Sequence, residues 1–143
     1  MAAPSYWEGR FEQVHGFGRG PGTTPECYDA WLDGAQHGEM TGSPATASTE
    51  VAGKFTAHGD YIWGINLELV DGERILQTWR TSEFASSDPD SSIEVTFEAS
   101  SAGTLVTLRH WNIPAGQAEG YESGWHDFYF TPMQDYFSDL SEK

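Results

Sequence analysis

Hydrophobic and polar positions change period twice along this chain. From Ser92 to Glu98 they alternate without a fault, which puts Ile93, Val95 and Phe97 on one face and marks a half-buried strand. Tyr61, Trp63, Ile65, Leu67 and Leu69 repeat that period against Gly64, Asn66 and Glu68, so a strand is predicted to Val70 with these odd positions inward. Asp71-Gly72 tolerates the positive φ of a tight hairpin and sends the chain back along Glu73 to Ser82. A turn over Ser100 to Gly103 leads into a last strand, Thr104 to Trp111. Earlier, Trp7 to His15 reads as a first strand. Ala45 to Lys54 and Phe55 to Ala57 read as two more before a turn at His58-Gly59-Asp60.

The period lengthens in two places. Thr24 can cap a helix, Pro25 suits its first position, and Tyr28, Trp31 and Leu32 share a face at steps of three and four. Gly34 interrupts, and a second short helix over Ala35 to Met40 ends near Gly42. After Pro114, Tyr121, Trp125, Phe128, Tyr129, Met133, Tyr136, Phe137 and Leu140 recur at helical steps, with Pro132 expected to kink or restart the helix. Strands joined by consecutive hairpins leave one face of a sheet free to be wet, and the long aromatic helix must cover the other. The expected class is α+β: a curved antiparallel sheet wrapped around a long C-terminal helix, with two short helices after the first strand.

The 143 residues suit one domain spanning 1–143. No apolar run reaches bilayer length, the N-terminus shows no secretory leader, and Cys27 stands alone, so a reducing cytoplasm is the expected setting and membrane insertion is not. The formal charge is -15, from 22 acidic and 7 basic residues, and those basic residues are scattered. Phosphate backbones would be repelled, which argues against nucleic acid as a partner. Gly16 to Gly22 carries no phosphate-binding string, the histidines lack ligand spacing, and no Gly-x-Ser-x-Gly elbow occurs, so no cofactor, metal site or catalytic residue is assigned.

Several short strings fall in a shared order: Tyr28-Asp29-Ala30-Trp31-Leu32, Gly53-Lys54-Phe55, Gly64-x-Asn66-Leu67-Glu68-Leu69, Ile75 to Arg80, Val95 to Glu98, Gly103-Thr104, Leu108-x-His110 and Gly124-Trp125. In them the chain resembles stand-alone members of the Aha-type chaperone ATPase activator family, within the START-like or SRPBCC superfamily. The resemblance implies a helix-grip fold with an internal, mostly apolar cavity, and it implies no reaction, since function in such folds must be argued from the site. It also implies a possible chaperone partner, although the eukaryotic activators carry a large N-terminal chaperone-binding domain that finds no counterpart in these residues.

Strand alternation places Phe55, Trp63, Leu67, Trp79, Phe97, Leu108 and His110 toward the helix, with Trp125 and Tyr129 answering from it. Such a lining suits a small apolar molecule; equally, large indoles can fill the space they would border. Binding of a small hydrophobic ligand, without catalysis, is the leading expectation. A cyclase- or hydrolase-like enzyme would use His110 with Gln77 or Asn66, and would need His110 reachable from solvent. A chaperone-interacting module is the third reading. Arg80 and Arg109 are expected to face solvent and pair with the abundant acids.

Overall fold

The computed structural model of the chain describes residues 5–12, 24–100 and 103–141. Six strands, β1 (Ser5–Glu12), β2 (Lys54–Ala57), β3 (Ile62–Val70), β4 (Arg74–Thr81), β5 (Ser91–Ser100) and β6 (Gly103–Ile113), form one sheet in the order β1-β6-β5-β4-β3-β2. Every neighbouring pair is antiparallel. Two short helices, α1 (Thr24–Leu32) and α2 (Gly34–Thr41), lie between β1 and β2. A long helical run closes the chain: α3 (Ala118–Gly124), a π-helical stretch over Trp125–Phe130, and α4 (Thr131–Ser141). The end of the first predicted strand beyond Glu12 and the glycine-rich segment 16–22 lie outside the described residues.

The alternation in β5 holds, and β4 and β6 extend it. Ile75, Gln77, Trp79 and Thr81 of β4 and Thr104, Val106, Leu108 and His110 of β6 are all buried on the face that Ile93, Val95 and Phe97 share. Register explains the coherence, since Gln77 pairs with Ile93 and Ile93 with His110. Helix α1 packs on β5 and β6, with Tyr28 edge-on to Phe97 at 5.8 Å. Helix α2 is capped by Asp33, whose carboxylate accepts from the Gln36 amide at 3.0 Å, and it stops at Gly42 with φ 78°. Its inner face meets the final helical run.

Two expectations are corrected. Ala45 to Lys54 is not a strand: Lys54 opens β2, and the residues before it form no ladder, only the isolated bridge Thr46 to Thr56 and backbone bonds of Ala52 and Gly53 with Asn66. Ala52 takes φ 69°, and Asn66 draws the segment into a loop by donating from its carboxamide to the Ser48 and Glu50 carbonyls, both at 2.9 Å. In β3 as far as Asn66 the inward positions are Ile62, Gly64 and Asn66, not the odd-numbered residues. Trp63 and Leu67 sit on the outer face, 40% and 38% exposed.

Two features of β3 cause that reversal. Gly64 lies so close to β4 that an added Cβ would stand 2.0 Å from the Thr78 carbonyl oxygen, and the Phe55 ring lies over it. The register also slips between Asn66 and Glu68: Asn66 pairs with Gln77 but Glu68 with Leu76. Leu67 is the extra residue of a bulge, and beyond it the inward parity changes, so Leu69 packs against the core. Trp63, paired with Arg80 across the outer face, lies 6.0 Å from its guanidinium carbon.

Pro132 is the second residue of α4, where α-helical bonding restarts after the π-helical stretch. Across Trp125–Phe130 the backbone widens to i→i+5 bonding, and the Thr131 amide reaches the His126 carbonyl. Proline enters where the α-helical ladder has already been relaxed. Buried positions then fall at steps of four and five, Trp125, Tyr129 and Phe130, while Phe128 turns out and is 56% exposed.

Candidate functional site

Between the concave face and the final helix, aromatic rings fill most of the space. Trp125 stacks near Trp31 with centroids 6.5 Å apart, lies 5.5 Å from Trp79 and 4.9 Å from Tyr129. What remains is a cleft of about 300 Å³ at one end of the grip. Its sheet side is formed by His58, Tyr61, Ile62 and Trp79, and its helix side by Gly120, Tyr121, Gly124, Trp125, Phe128 and Tyr129. A second recess of about 240 Å³ shares Tyr61, Gly120 and Tyr121 with it and continues toward Glu83 and Gln117.

Of the residues expected to line a cavity, Trp79, Trp125 and Tyr129 do so. Phe55, Phe97, Leu108 and His110 are buried in the packed core and do not border the cleft. Trp63 and Leu67 are removed from it altogether by the parity of β3. Sequence reasoning missed His58, Tyr61, Ile62, Tyr121, Phe128 and the two glycines. His58 and Tyr61 had read as turn and strand residues, and the glycines matter by what they leave empty: a Cβ at Gly120 would meet nothing within 4 Å.

The polar groups buried behind the cleft wall are held in definite protonation states. His110 Nδ1 accepts from the Trp125 indole N–H at 3.1 Å, so its proton sits on Nε2 and is donated to Ser91 Oγ at 2.8 Å. Ser91 in turn donates to the Trp79 carbonyl at 2.5 Å. His110 is 0% exposed, and burial pushes its pKa down from 6.5 to about 3. A neutral imidazole with both nitrogens engaged and no path to solvent lacks what the proton-transfer reading required.

His37 is held the opposite way. Its Nδ1 faces the Trp31 carbonyl at 2.9 Å and must donate, so Nε2 accepts the Tyr129 hydroxyl proton at 2.7 Å. Burial, partly offset by that backbone bond, lowers its pKa to about 4. Burial likewise pushes the Tyr129 phenol up, well outside physiological range. Gln77 and Asn66 form a relay of their own: Gln77 Nε2 donates to Asn66 Oδ1 at 2.9 Å, and the Trp31 indole N–H approaches Gln77 Oε1 at 3.5 Å. These amides anchor a loop instead of facing the cleft.

Elsewhere on the rim Tyr121 donates to Gln117 Oε1 at 2.6 Å and lies 2.8 Å from the Thr81 hydroxyl, while Tyr61 donates to Glu83. Cys27 is fully buried, its thiol pushed up to about 12 by desolvation, so it offers no thiolate at neutral pH. Arg80 pairs with Asp90 at 2.7 Å and also holds the Ala85 and Asp88 carbonyls. Arg109 reaches Glu94 at 3.7 Å on the same outer surface. No helix among the described residues is long and apolar enough to cross a membrane.

An antiparallel sheet closed over one long helix, with an aromatic cleft at the end of the grip, defines a helix-grip domain of the START-like type. The chain belongs to the family described as Activator of Hsp90 ATPase homolog 1-like protein, whose family model matches residues 23–138. It is 32% identical over 101 residues to an activator of 90 kDa heat shock protein ATPase homolog from Dictyostelium discoideum, covering 70% of this chain and 26% of that protein. It is 27% identical to uncharacterized protein C1711.08 from Schizosaccharomyces pombe, covering 78% of this chain and 33% of the relative. The chain thus spans about a quarter to a third of the length of these relatives. Among solved structures, PFC0360w, an HSP90 activator from Plasmodium falciparum, superposes with a TM-score of 0.77 at 20% identity, covering 96% of this chain and 97% of that one.

Proposed function

We propose that this chain is a binding module that takes a small apolar molecule in the cleft between the 58–62 turn and the final helix. The observation that carries this reading is the cleft itself: about 300 Å³, walled by Ile62, Trp79, Tyr121, Trp125, Phe128 and Tyr129. That volume stands at the small end of ligand pockets, roughly 300–1,000 Å³, and suits one or two fused rings better than a sterol or a long acyl chain. The π-helical stretch supports the reading, because such widened turns gather at functional sites and this one sets Trp125 and Tyr129 on the wall.

The test is a thermal-shift and native-mass screen against small aromatic and alicyclic molecules, run beside Gly120→Leu. The variant fills the cleft from a position where a Cβ meets nothing. Ligands that raise the melting temperature of the parent chain and not of the variant support the proposal. A panel in which no compound binds the parent chain overturns it.

A second reading rests on family membership and on the Dictyostelium and Plasmodium relatives described as activators of that chaperone: docking on a chaperone ATPase of the 90 kDa heat shock type. It uses the outside of the domain. Stimulation of a purified chaperone ATPase should therefore survive Gly120→Leu, whereas a ligand-dependent function should not. An ATPase rate unmoved by the parent chain would remove this reading.

A further inference from the structure

Three histidines, His37, His58 and His110, pack against the aromatic rings of the cleft wall, and two have both ring nitrogens satisfied. In each of those two, Nε2 pairs with a hydroxyl: Tyr129 at His37 and Ser91 at His110. The third, His58, is different. Its Nε2 is the one buried side-chain polar atom among the described residues that has no hydrogen-bond partner. An unpaired buried nitrogen is unfavourable and calls for an explanation. Here the nitrogen belongs to a residue that lines an open cleft.

The surroundings of His58 are rigid on one side and yielding on the other. Its backbone sits at φ 51° in a turn tied down by bonds from the Gly59 amide to the Pro44 carbonyl at 2.9 Å and from the Tyr61 amide to the His58 carbonyl at 3.3 Å. The ring packs edge-on against Tyr129 at 5.7 Å and Phe128 at 5.5 Å. Tyr129 is locked by His37, whereas Phe128 is mostly exposed, so the Phe128 side is the one that can yield to a molecule in the cleft.

Resting on the reading of the cleft as a ligand site, we propose that its occupant is a one- or two-ring aromatic molecule bearing a neutral hydroxyl group, which pairs with His58 Nε2. A hydroxyl both donates and accepts, so it satisfies Nε2 in either tautomer, whereas a ketone or a ring N–H satisfies only one. A carboxylate is disfavoured because no Lys or Arg lines the cleft and the chain carries a formal charge of -15. The phenol–imidazole pair is also one this fold already makes, between Tyr129 and His37.

The experiment uses the full chain with three probes, naphthalene, 2-naphthol and 2-naphthoate, binding being read from quenching of the cleft tryptophans. The expected result is 2-naphthol bound at least tenfold more tightly than naphthalene, with 2-naphthoate weaker than both. His58→Phe should keep naphthalene affinity within about twofold and lose the preference for 2-naphthol. As a measurement independent of any variant, the imidazole ¹⁵N resonance of His58 Nε2 in the parent chain should move with 2-naphthol and stay with naphthalene. Equal affinities for the two neutral probes, or a still Nε2 resonance, overturn the hydroxyl pairing and leave the apolar cleft standing. Failure of every probe to bind overturns both.

Discussion

The indole N–H of Trp125 points at Nδ1 of His110 across 3.1 Å, joining the π-helical stretch to the last strand by one buried hydrogen bond. That bond decides the rest of the local chemistry. It forces the His110 proton onto Nε2, orders Ser91, and ties β5 to the Trp79 carbonyl of β4. Truncating His110 to Ala would leave the Trp125 donor without its acceptor inside a sealed core and open a void among Trp79, Tyr121 and Trp125. A loss of roughly 3–5 kcal/mol is expected in urea denaturation, from cavity and unpaired polar groups together. A loss below about 1 kcal/mol would show that the relay contributes little.

Acid should destabilise the domain before its carboxylates titrate. His37 and His110 have folded pKa values of about 4 and about 3 against an ordinary 6.5, depressed chiefly by burial. Below pH 6.5 the unfolded chain takes up protons that the folded chain refuses, so stability is complete above that pH and is lost as pH falls. Each histidine contributes a slope of roughly 1.4 kcal/mol per pH unit, ending near the folded pKa. Protonating the acidic surface acts in the opposite sense at lower pH by relieving self-repulsion, so the clean window is pH 6.5 to 5. Denaturation midpoints that do not fall across that window would contradict the neutral, sealed state of both rings.

Much of this architecture was legible because β4, β5 and β6 bury one face and keep register, so Ile93, Val95 and Phe97 could alternate faithfully. Strand β3 was not, for reasons local to it. Its odd positions are the more apolar, yet Gly64 and Asn66 hold the inner face by close approach and by hydrogen bonding, neither of which periodicity registers. The bulge at Leu67 then reverses parity within the strand. The cleft was legible only in part, for the same kind of reason. Trp79, Trp125 and Tyr129 announced themselves by size, whereas His58 became interesting only once its neighbours had found partners and its Nε2 had not.

Asn66 is expected to matter more than any exposed residue of its strand. Its side chain holds two loop carbonyls and accepts from Gln77, while its backbone receives the Ala52 amide at 2.8 Å and donates to Gly53 at 2.9 Å. Asn66→Ala leaves the Gln77 amide and both loop carbonyls unmet, at a cost of roughly 1–3 kcal/mol. Hydrogen exchange should quicken at the Ala52 and Asn66 amides first. Protection at Ala52 unchanged in the variant would show that the backbone bonds alone fix the loop.

Two glycines in this chain should respond to alanine in opposite directions. At Gly64 the new methyl carbon would stand 2.0 Å from the Thr78 carbonyl oxygen and 2.8 Å from Phe55 Cε2, and the first of these is backbone in a paired strand. The strands must part or Phe55 must leave its seat, so Gly64→Ala is expected to cost roughly 3 kcal/mol or abolish folding. At Gly120 the methyl enters open space on helix α3, and replacing glycine inside a helix adds up to about 1 kcal/mol of stability. Melting temperatures of the two variants therefore bracket the parent, Gly64→Ala below and Gly120→Ala at or above it. A fall at Gly120 comparable to that at Gly64 would mean that the space beside α3 is occupied in solution, which is itself what a bound molecule in the cleft would produce, and native mass spectrometry of the parent chain would then identify the added mass.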